Sequence, residues 1–428
     1  MKVALPVSAA FPSDGGGYTF ESEIVAALLD LAPETHHEIT IFSATAGSES
    51  AAATHPNLTI VHPPSQLMTG ALRGALRRGM GLAHRGHPKL SSQADKLQAA
   101  FVRHFIVKSR FDFSWVLAPA ALIQCPKHHT PYALTIWDLQ HRLQPYFPEI
   151  SQGREWGKRE RFYANNLKRA TYVVTGTERG KVEIERFYQI APERIRVIPF
   201  PTPRLGDAIA TRSHREIANQ PATKEELLAQ HGLPSRYFFY PAQFWPHKNH
   251  YTLLKAFKTL VDQQGEDVAL VLTGSDKGNA GYIKQLIHDL DLTAKVHILG
   301  FVSKEDLANL YKHALALVFP THFGPDNLPP LEAFSLGCPV IASQVPGAAE
   351  QLGNAALLVD QRDAAQMAGA MKSVYEDEAL RHDLIQKGLT RAKSWQPQDY
   401  AKQLITLLDE FESIRYCWPN STSHAGNT

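Results

Sequence analysis

Phe319–Val345, FPTHFGPDNLPPLEAFSLGCPVIASQV, is the stretch whose reading decides the fold. Ala314–Phe319 is an apolar run stopped by Pro320, the pattern of a buried strand. Thr321–Asn327 is a loop rich in Gly, Pro, Asp and Asn. Pro329 and Pro330 fall where the first turn of a helix accepts proline. Leu331, Glu332, Ala333, Phe334 and Leu336 continue that helix. Gly337 ends it, and Pro339 follows at the customary distance. Pro339–Ala342 is the next strand. A helix N-terminus in this position offers unpaired N–H groups and partial positive charge, which suits a phosphate. Glu332, one turn in, has two readings. It accepts hydrogen bonds from a pair of hydroxyls, as on a ribose, or it only complements the helix dipole.

The same alternation of strand and helix continues on both sides. Upstream, Lys2–Val7 is a strand, Phe11–Gly17 a loop and Tyr18–Leu31 a helix. Gly15, Gly16 and Gly17 either admit a ligand close to the backbone at a helix N-terminus or form a plain tight turn. Strands are expected at Glu38–Ser43, Leu58–His62, Trp115–Leu122, Pro131–Ile136 and Ala170–Thr175. A charged helix is expected from Glu155 to Lys168, with Trp156, Phe162 and Leu167 inward. Pro201–Pro221 mixes Pro, Gly, Ser, Asn and charges and reads as a linker. Tyr237–Tyr240 then opens a second alternating series, which runs to Ser394 and ends its strands at Gly274, Gly300 and Phe319. The fold class is therefore α/β, with two Rossmann-like, doubly wound domains facing across a cleft. Residues 1–200 form the first. Residues 201–221 link them, and 222–394 form the second. The segment 395–415 is a final helix, and the polar tail 416–428 is expected to be disordered.

Composition narrows the class. The chain has 428 residues, 44% hydrophobic and 20% charged, which suits a globular protein of two domains. A net charge of +2 argues against a dedicated nucleic-acid binder. Cys125, Cys338 and Cys417 form neither a disulfide framework nor a zinc motif, which points to a reducing compartment. No apolar run is long enough to span a bilayer. Leu67–Arg110 stands apart: nine Lys and Arg residues interleave with Leu and Met against the single acid Asp95. Such a segment lies on an anionic membrane surface, attracts a phosphorylated acceptor, or is a solvated face.

The donor-site stretch resembles that of the family 4 retaining glycosyltransferases, whose fold is GT-B. Their pattern is Glu-Gly-Phe-Gly-Leu-Pro-x-x-Glu. Leu328-Pro329-Pro330-Leu331-Glu332-Ala333 matches its second half, while Gly324 stands at the first glutamate. The resemblance covers nearly the whole chain and is most specific over Pro241–Val345. It implies that Glu332 holds the nucleotide ribose, with Asp326 or Asn327 as substitute for the sugar contact and Leu328 at the helix start. It places Lys248 on the donor diphosphate, with Gln243 where the family carries arginine. His247 supplies charge there only if protonated. Gly300, Phe301 and Val302 line the base pocket, with core packing as the other reading of Phe301, and Gly274 joins the donor side. On the acceptor side, Asp138 ends a strand at the cleft or only caps a turn, Trp137 replaces the family's histidine, and His141 either recovers that role or is merely a surface residue. The first glycine loop holds phosphates or acceptor, and the final helix, 395–415, crosses back to the first domain. Family chemistry implies a nucleotide-sugar donor, a glycan or polyprenyl-linked acceptor, front-face transfer and no metal cofactor. The variant loop and the His247-Lys248-Asn249-His250 block look like bacterial surface-polysaccharide mannosyltransferases, so the lean is mannose from GDP-mannose. The expected place is the cytoplasm, peripherally at the inner membrane face through Leu67–Arg110. Two other classes stay open: a nucleotide-sugar-binding relative that has lost catalysis, and a membrane-surface interaction protein.

Overall fold

The computed structural model describes residues 1–8, 16–42, 55–61, 104, 108–119, 130–205, 224–264 and 268–418. Two all-parallel sheets organise them. The first has the order β3-β2-β1-β4-β5-β6-β7, from β1 (Lys2–Pro6), β2 (Glu38–Phe42), β3 (Leu58–Val61), β4 (Phe113–Val116), β5 (Tyr132–Thr135), β6 (Tyr172–Thr175) and β7 (Ile195–Val197). The second has the order β10-β9-β8-β11-β12-β13, from β8 (Tyr237–Pro241), β9 (Ala269–Thr273), β10 (Val296–Gly300), β11 (Ala316–Phe319), β12 (Val340–Ser343) and β13 (Ala356–Val359). The central strands are near-continuous buried runs, such as ALVLT in β9, because helices cover both faces of a parallel sheet. In each sheet the winding reverses beside the first strand, at β1/β4 and at β8/β11. Ligands in such sheets bind at the carboxyl ends of the strands at that point.

Helix 16–31 packs on the last helix, Pro397–Arg415, whose Tyr400, Ala401, Leu404, Leu408 and Phe411 are buried in the core of the first domain. The chain therefore leaves the second domain after the helix Glu378–Lys393 and returns to the first. Trp395 marks the crossing: its indole N–H donates to the Pro199 carbonyl at 2.7 Å, and its carbonyl accepts from Thr202 N–H at 3.2 Å.

Three local expectations change. The strand expected at Trp115–Leu122 runs instead from Phe113 to Val116, between β1 and β5, and bends away at Leu117. Trp156 is exposed, not inward; Tyr163 and Leu167, one turn apart, take the buried positions of helix Glu155–Asn166 and the turn after it. The start of the expected linker is packed rather than free. Leu205 is buried in the second core and Arg204 pairs with Glu23 at 2.9 Å. Residues 206–223 and 419–428 lie outside the described residues, as do Gly15 and nearly all of Leu67–Arg110.

Candidate active site

A cleft of about 460 Å³ lies between the carboxyl ends of the two sheets. Every turn that reaches it follows a strand. From the first domain come Gly16 and Gly17, then Trp137 and Asp138 after β5. From the second come Gln243, His247 and Lys248 after β8, Gly274 after β9, Gly300, Phe301 and Val302 at the end of β10, and Asp326, Asn327 and Leu328 after β11. Glu332 lines it from within helix Leu328–Ser335.

Lys248 is held by its own loop. Pro246–Lys248 is a short 3-10 turn, and Asn249 beyond it has φ 59°, a left-handed conformation that asparagine tolerates. The Asn249 amide donates to the carbonyls of Pro320 (2.8 Å) and Gln361 (2.7 Å), so the turn is tied to the end of β11. The Tyr240 hydroxyl donates to the Lys248 carbonyl at 2.7 Å. The ammonium stands 5.4 Å over the Phe319 ring. Burial lowers its pKa to about 8, opposed by the carboxylates of Asp138 and Glu149.

Glu332 accepts a hydrogen bond from the buried Tyr311 hydroxyl at 2.8 Å. Burial raises its pKa to about 7, and the Tyr311 bond opposes the rise. Phe301 is 64% exposed, which excludes the core-packing reading of that side chain. It stands on the cleft wall after Gly300, whose φ of 70° turns the chain out of β10. Gly274, at φ 130°, has a similar reason to be glycine: a Cβ there would collide with the Ala242 carbonyl.

The loop before Glu332 explains its departure from the two-glutamate pattern. Gly324 has φ 127°, and a Cβ on it would run into the Asn327 amide, which donates to the Gly324 carbonyl at 2.6 Å. A glutamate at this position would be strained whatever its side chain reached. Asn327 is thus spent on the loop, and its backbone exchanges two hydrogen bonds with the Gln351 amide. Asp326 lies against Gly176 of the first domain, where any Cβ would overlap its carboxyl group. Burial, and then the Glu350 carboxylate, raise its pKa to about 7. Pro329 and Pro330 bring no N–H groups, so within the first three helical positions only Leu328 can donate to a phosphate.

Other groups are engaged away from a ligand. The Gln243 carbonyl oxygen accepts from the Trp245 indole at 2.9 Å. His247 bonds Glu149 of the first domain through Nδ1. Burial lowers the His247 pKa, so it is a neutral partner to an ionised Glu149 and brings no positive charge to the cleft. Asp138 pairs with Arg159 and accepts from Gln140 N–H at 2.9 Å. Burial raises its pKa, but those partners outweigh the effect and keep it ionised.

His141 is a correction. Neither the acceptor-side nor the surface-turn reading holds, because its side chain is fully buried inside the first domain. Its Nε2 meets the Tyr188 hydroxyl at 2.9 Å and Glu160 at 3.2 Å. Burial drops its pKa to about 4, and it does not line the cleft. Trp137 occupies the wall instead. Its indole N–H donates to the Leu117 carbonyl at 3.1 Å, and a Cβ on Gly17 would stand 2.8 Å from its ring. Gly17 is therefore needed for the close approach of that indole.

Several residues that sequence reading passed over also belong here. Lys304 lines the cleft 5.5 Å over the Tyr18 ring of the other domain, and Tyr311 and Glu149 orient Glu332 and His247. Only Lys304 carried a signal, two residues beyond Val302.

The sequence profile of the family described as "Glycosyl transferases group 1" matches residues 223–391. That match falls on the second domain and spans about two fifths of the chain. Among curated proteins, the chain is 28% identical over 247 residues to O-antigen chain mannosyltransferase B of Escherichia coli, a match covering 58% of this chain and 62% of that protein. It is 29% identical over 272 residues to O-antigen chain mannosyltransferase RfbU of Salmonella typhimurium, covering 61% of this chain and 69% of the relative. Among solved structures, sucrose-phosphate synthase of Thermosynechococcus elongatus superposes with TM-score 0.69 at 17% identity, over 96% of this chain and 99% of that one. Anabaena HepE, solved with UDP and glucose, superposes with TM-score 0.64 at 14% identity, over 96% and 100%. The fold is GT-B across both domains.

Proposed function

We propose that this protein is a retaining glycosyltransferase that moves mannose from GDP-mannose to a glycan or polyprenyl-linked glycan in the synthesis of a bacterial polysaccharide. The observation that carries this reading is the convergence of Lys248, Glu332 and Phe301 around the start of one helix in an interdomain cleft. Phe301 offers a ring face to a base. Glu332 offers a carboxylate to the ribose hydroxyls. Lys248 and the Leu328 N–H offer positive charge to the diphosphate, where negative charge grows as the sugar leaves. In the step, the bond from the anomeric carbon to phosphate oxygen breaks. The acceptor oxygen bonds the same face of that carbon, and its proton passes to the departing phosphate.

No carboxylate needs to act as nucleophile in this route. Asp138 is paired with Arg159, and Asp326 lies against Gly176. They orient sugar or acceptor. Tyr18 and Trp137 line the first-domain side, backed by the buried Phe20 and Phe200, and are suited to packing on an acceptor sugar. The reading requires no metal, because Lys248 is the cation at the phosphates. Mannose rests on the names of the two curated relatives, and a nucleotide site on the UDP complex of the structural neighbour. We place the protein in the cytoplasm, with Leu67–Arg110 touching an anionic membrane face.

Thermal unfolding against GDP, UDP, ADP and TDP tests the site. A ligand at about 100 times its dissociation constant stabilises by about 2.7 kcal/mol. A shift with GDP alone, followed by sugar transfer from GDP-mannose, supports the proposal. A shift with UDP alone moves the donor to UDP-sugars, and none with any nucleotide sinks the reading. A second reading has one observation in its favour: Gln243 and His247 are engaged by Trp245 and Glu149 and leave no arginine-like charge beside Lys248. It expects nucleotide binding with no transfer from any donor.

A further inference from the structure

Far along the chain from the cleft residues, the turn after helix 16–31 meets the last two turns of helix Pro397–Arg415. Asp409 and Glu412 are three apart and share one face of that helix. His36 and His37 follow the 3-10 turn Ala32–Glu34, and their rings stand 4.2 Å apart, centroid to centroid, over that face. One donor atom from each of the four residues lies within 4.8 Å of the other three. Both imidazole Nε2 atoms converge on Asp409 Oδ1, at 3.9 Å from His36 and 2.9 Å from His37. His36 Nε2 is also 2.7 Å from Glu412 Oε2.

Two ligands each about 2.0–2.1 Å from a tetrahedral zinc ion stand about 3.3 Å apart. The pair distances here bracket that spacing. We propose that His36, His37, Asp409 and Glu412 form a structural site for a divalent ion of the zinc class, which pins the C-terminal helix to the first domain. Two imidazoles and two carboxylates suit zinc, whereas magnesium and calcium want an all-oxygen shell. With the ion on Nε2 of His37, the ring proton sits on Nδ1. That nitrogen is 3.2 Å from the Met1 amino nitrogen, which as the neutral amine accepts the Nδ1–H and fixes the ring from behind. His36 and Asp409 are exposed, so the ion has an open path in. The site is independent of the transfer chemistry. Its role is to hold the helix by which the chain returns across the two domains.

The test titrates zinc chloride into the full chain, freed of metal by a chelator. It reads bound zinc at equilibrium and the unfolding temperature, with magnesium chloride as control. The expected result is one zinc ion bound by the wild type and a rise in unfolding temperature of about 2 °C or more. His36→Ala and Asp409→Asn, both at exposed positions, should weaken that binding at least tenfold and abolish the rise. They should leave the rate of sugar transfer unchanged. Should His37→Ala fail to fold, those two variants still decide the matter. Equal zinc affinity in wild type and variants, or none in the wild type, overturns the site. Binding without a rise in unfolding temperature overturns the pinning.

Discussion

The two domains share a winding order but treat charge at their strand ends in opposite ways. In the first, Asp138 is met by Arg159, and His141 by Glu160 and Tyr188. These pairings are made within the first domain, and the buried His141 Nδ1 is left without a hydrogen-bond partner. In the second, Lys248 meets an aromatic ring and Glu332 a single tyrosine hydroxyl, and among the described residues neither has an ion pair. Burial moves both toward neutral pH, to about 8 and about 7. Lys248 feels Asp138 and Glu149, and Glu332 feels Lys304, only at a distance and without a direct ion pair, which leaves both groups available to a ligand.

The sharpest way to break that contrast is Lys248→Ala. Transfer should fall by about 10²–10³-fold, the usual loss when one stabilising group is removed from a charged transition state. The unfolding temperature of the free protein should not fall, since a costly buried charge is gone. Turnover equal to wild type in a sugar-transfer assay would remove Lys248 from the chemistry. Glu332→Gln keeps the shape and should still engage Tyr311. Calorimetric titration should show about 10–100-fold weaker nucleoside diphosphate binding, as for a lost hydrogen bond to a charged group. Unchanged affinity would return Glu332 to the helix-dipole reading.

Acidity sharpens the same comparison. Binding needs Glu332 ionised and Lys248 protonated. Affinity for the nucleoside diphosphate should therefore peak between about pH 7 and 8. It should fall about tenfold per pH unit on either side. Glu332→Gln should flatten the acid limb, and a profile that keeps that limb would assign it to Asp326. Phe301→Ala should cost about tenfold in nucleotide affinity, from lost stacking, with little change in stability because the ring is exposed. His141→Ala is the opposite case. Stability in urea should drop by about 1–3 kcal/mol, while the transfer rate per folded molecule stays the same.

Much of this was legible from residues alone, and the pattern of success is physical. The helices Lys224–His231 and Lys304–His313 run over the residues that local periodicity predicts. Thr177 caps the helix after β6 through Gly180 N–H, as its position before that helix implies. Misses occur where a side chain has a choice of surroundings. The turn holding His141 was legible, but not that its imidazole folds back onto Glu160 and Tyr188, 19 and 47 residues on. The absent glutamate at Gly324 was visible as a difference; its reason, a φ of 127° over the Asn327 amide, was not. His36 and His37 carried no signal, because the carboxylates they meet, Asp409 and Glu412, lie 372 or more residues away.

By itself the sequence determined the order of strands and helices, the two-domain division and the strand-end turns that bear Lys248, Glu332 and Phe301. Those depend on interactions among near neighbours: apolar period, capping, and glycine or proline at a turn. Only the tertiary structure decided which charges are paired, how Trp137 closes on Gly17, that Asp326 meets Gly176 across the cleft, and that the last helix returns to His36 and His37. These depend on packing between segments from 19 to 376 residues apart, where burial and the partner at hand, rather than residue type, set what each group can do.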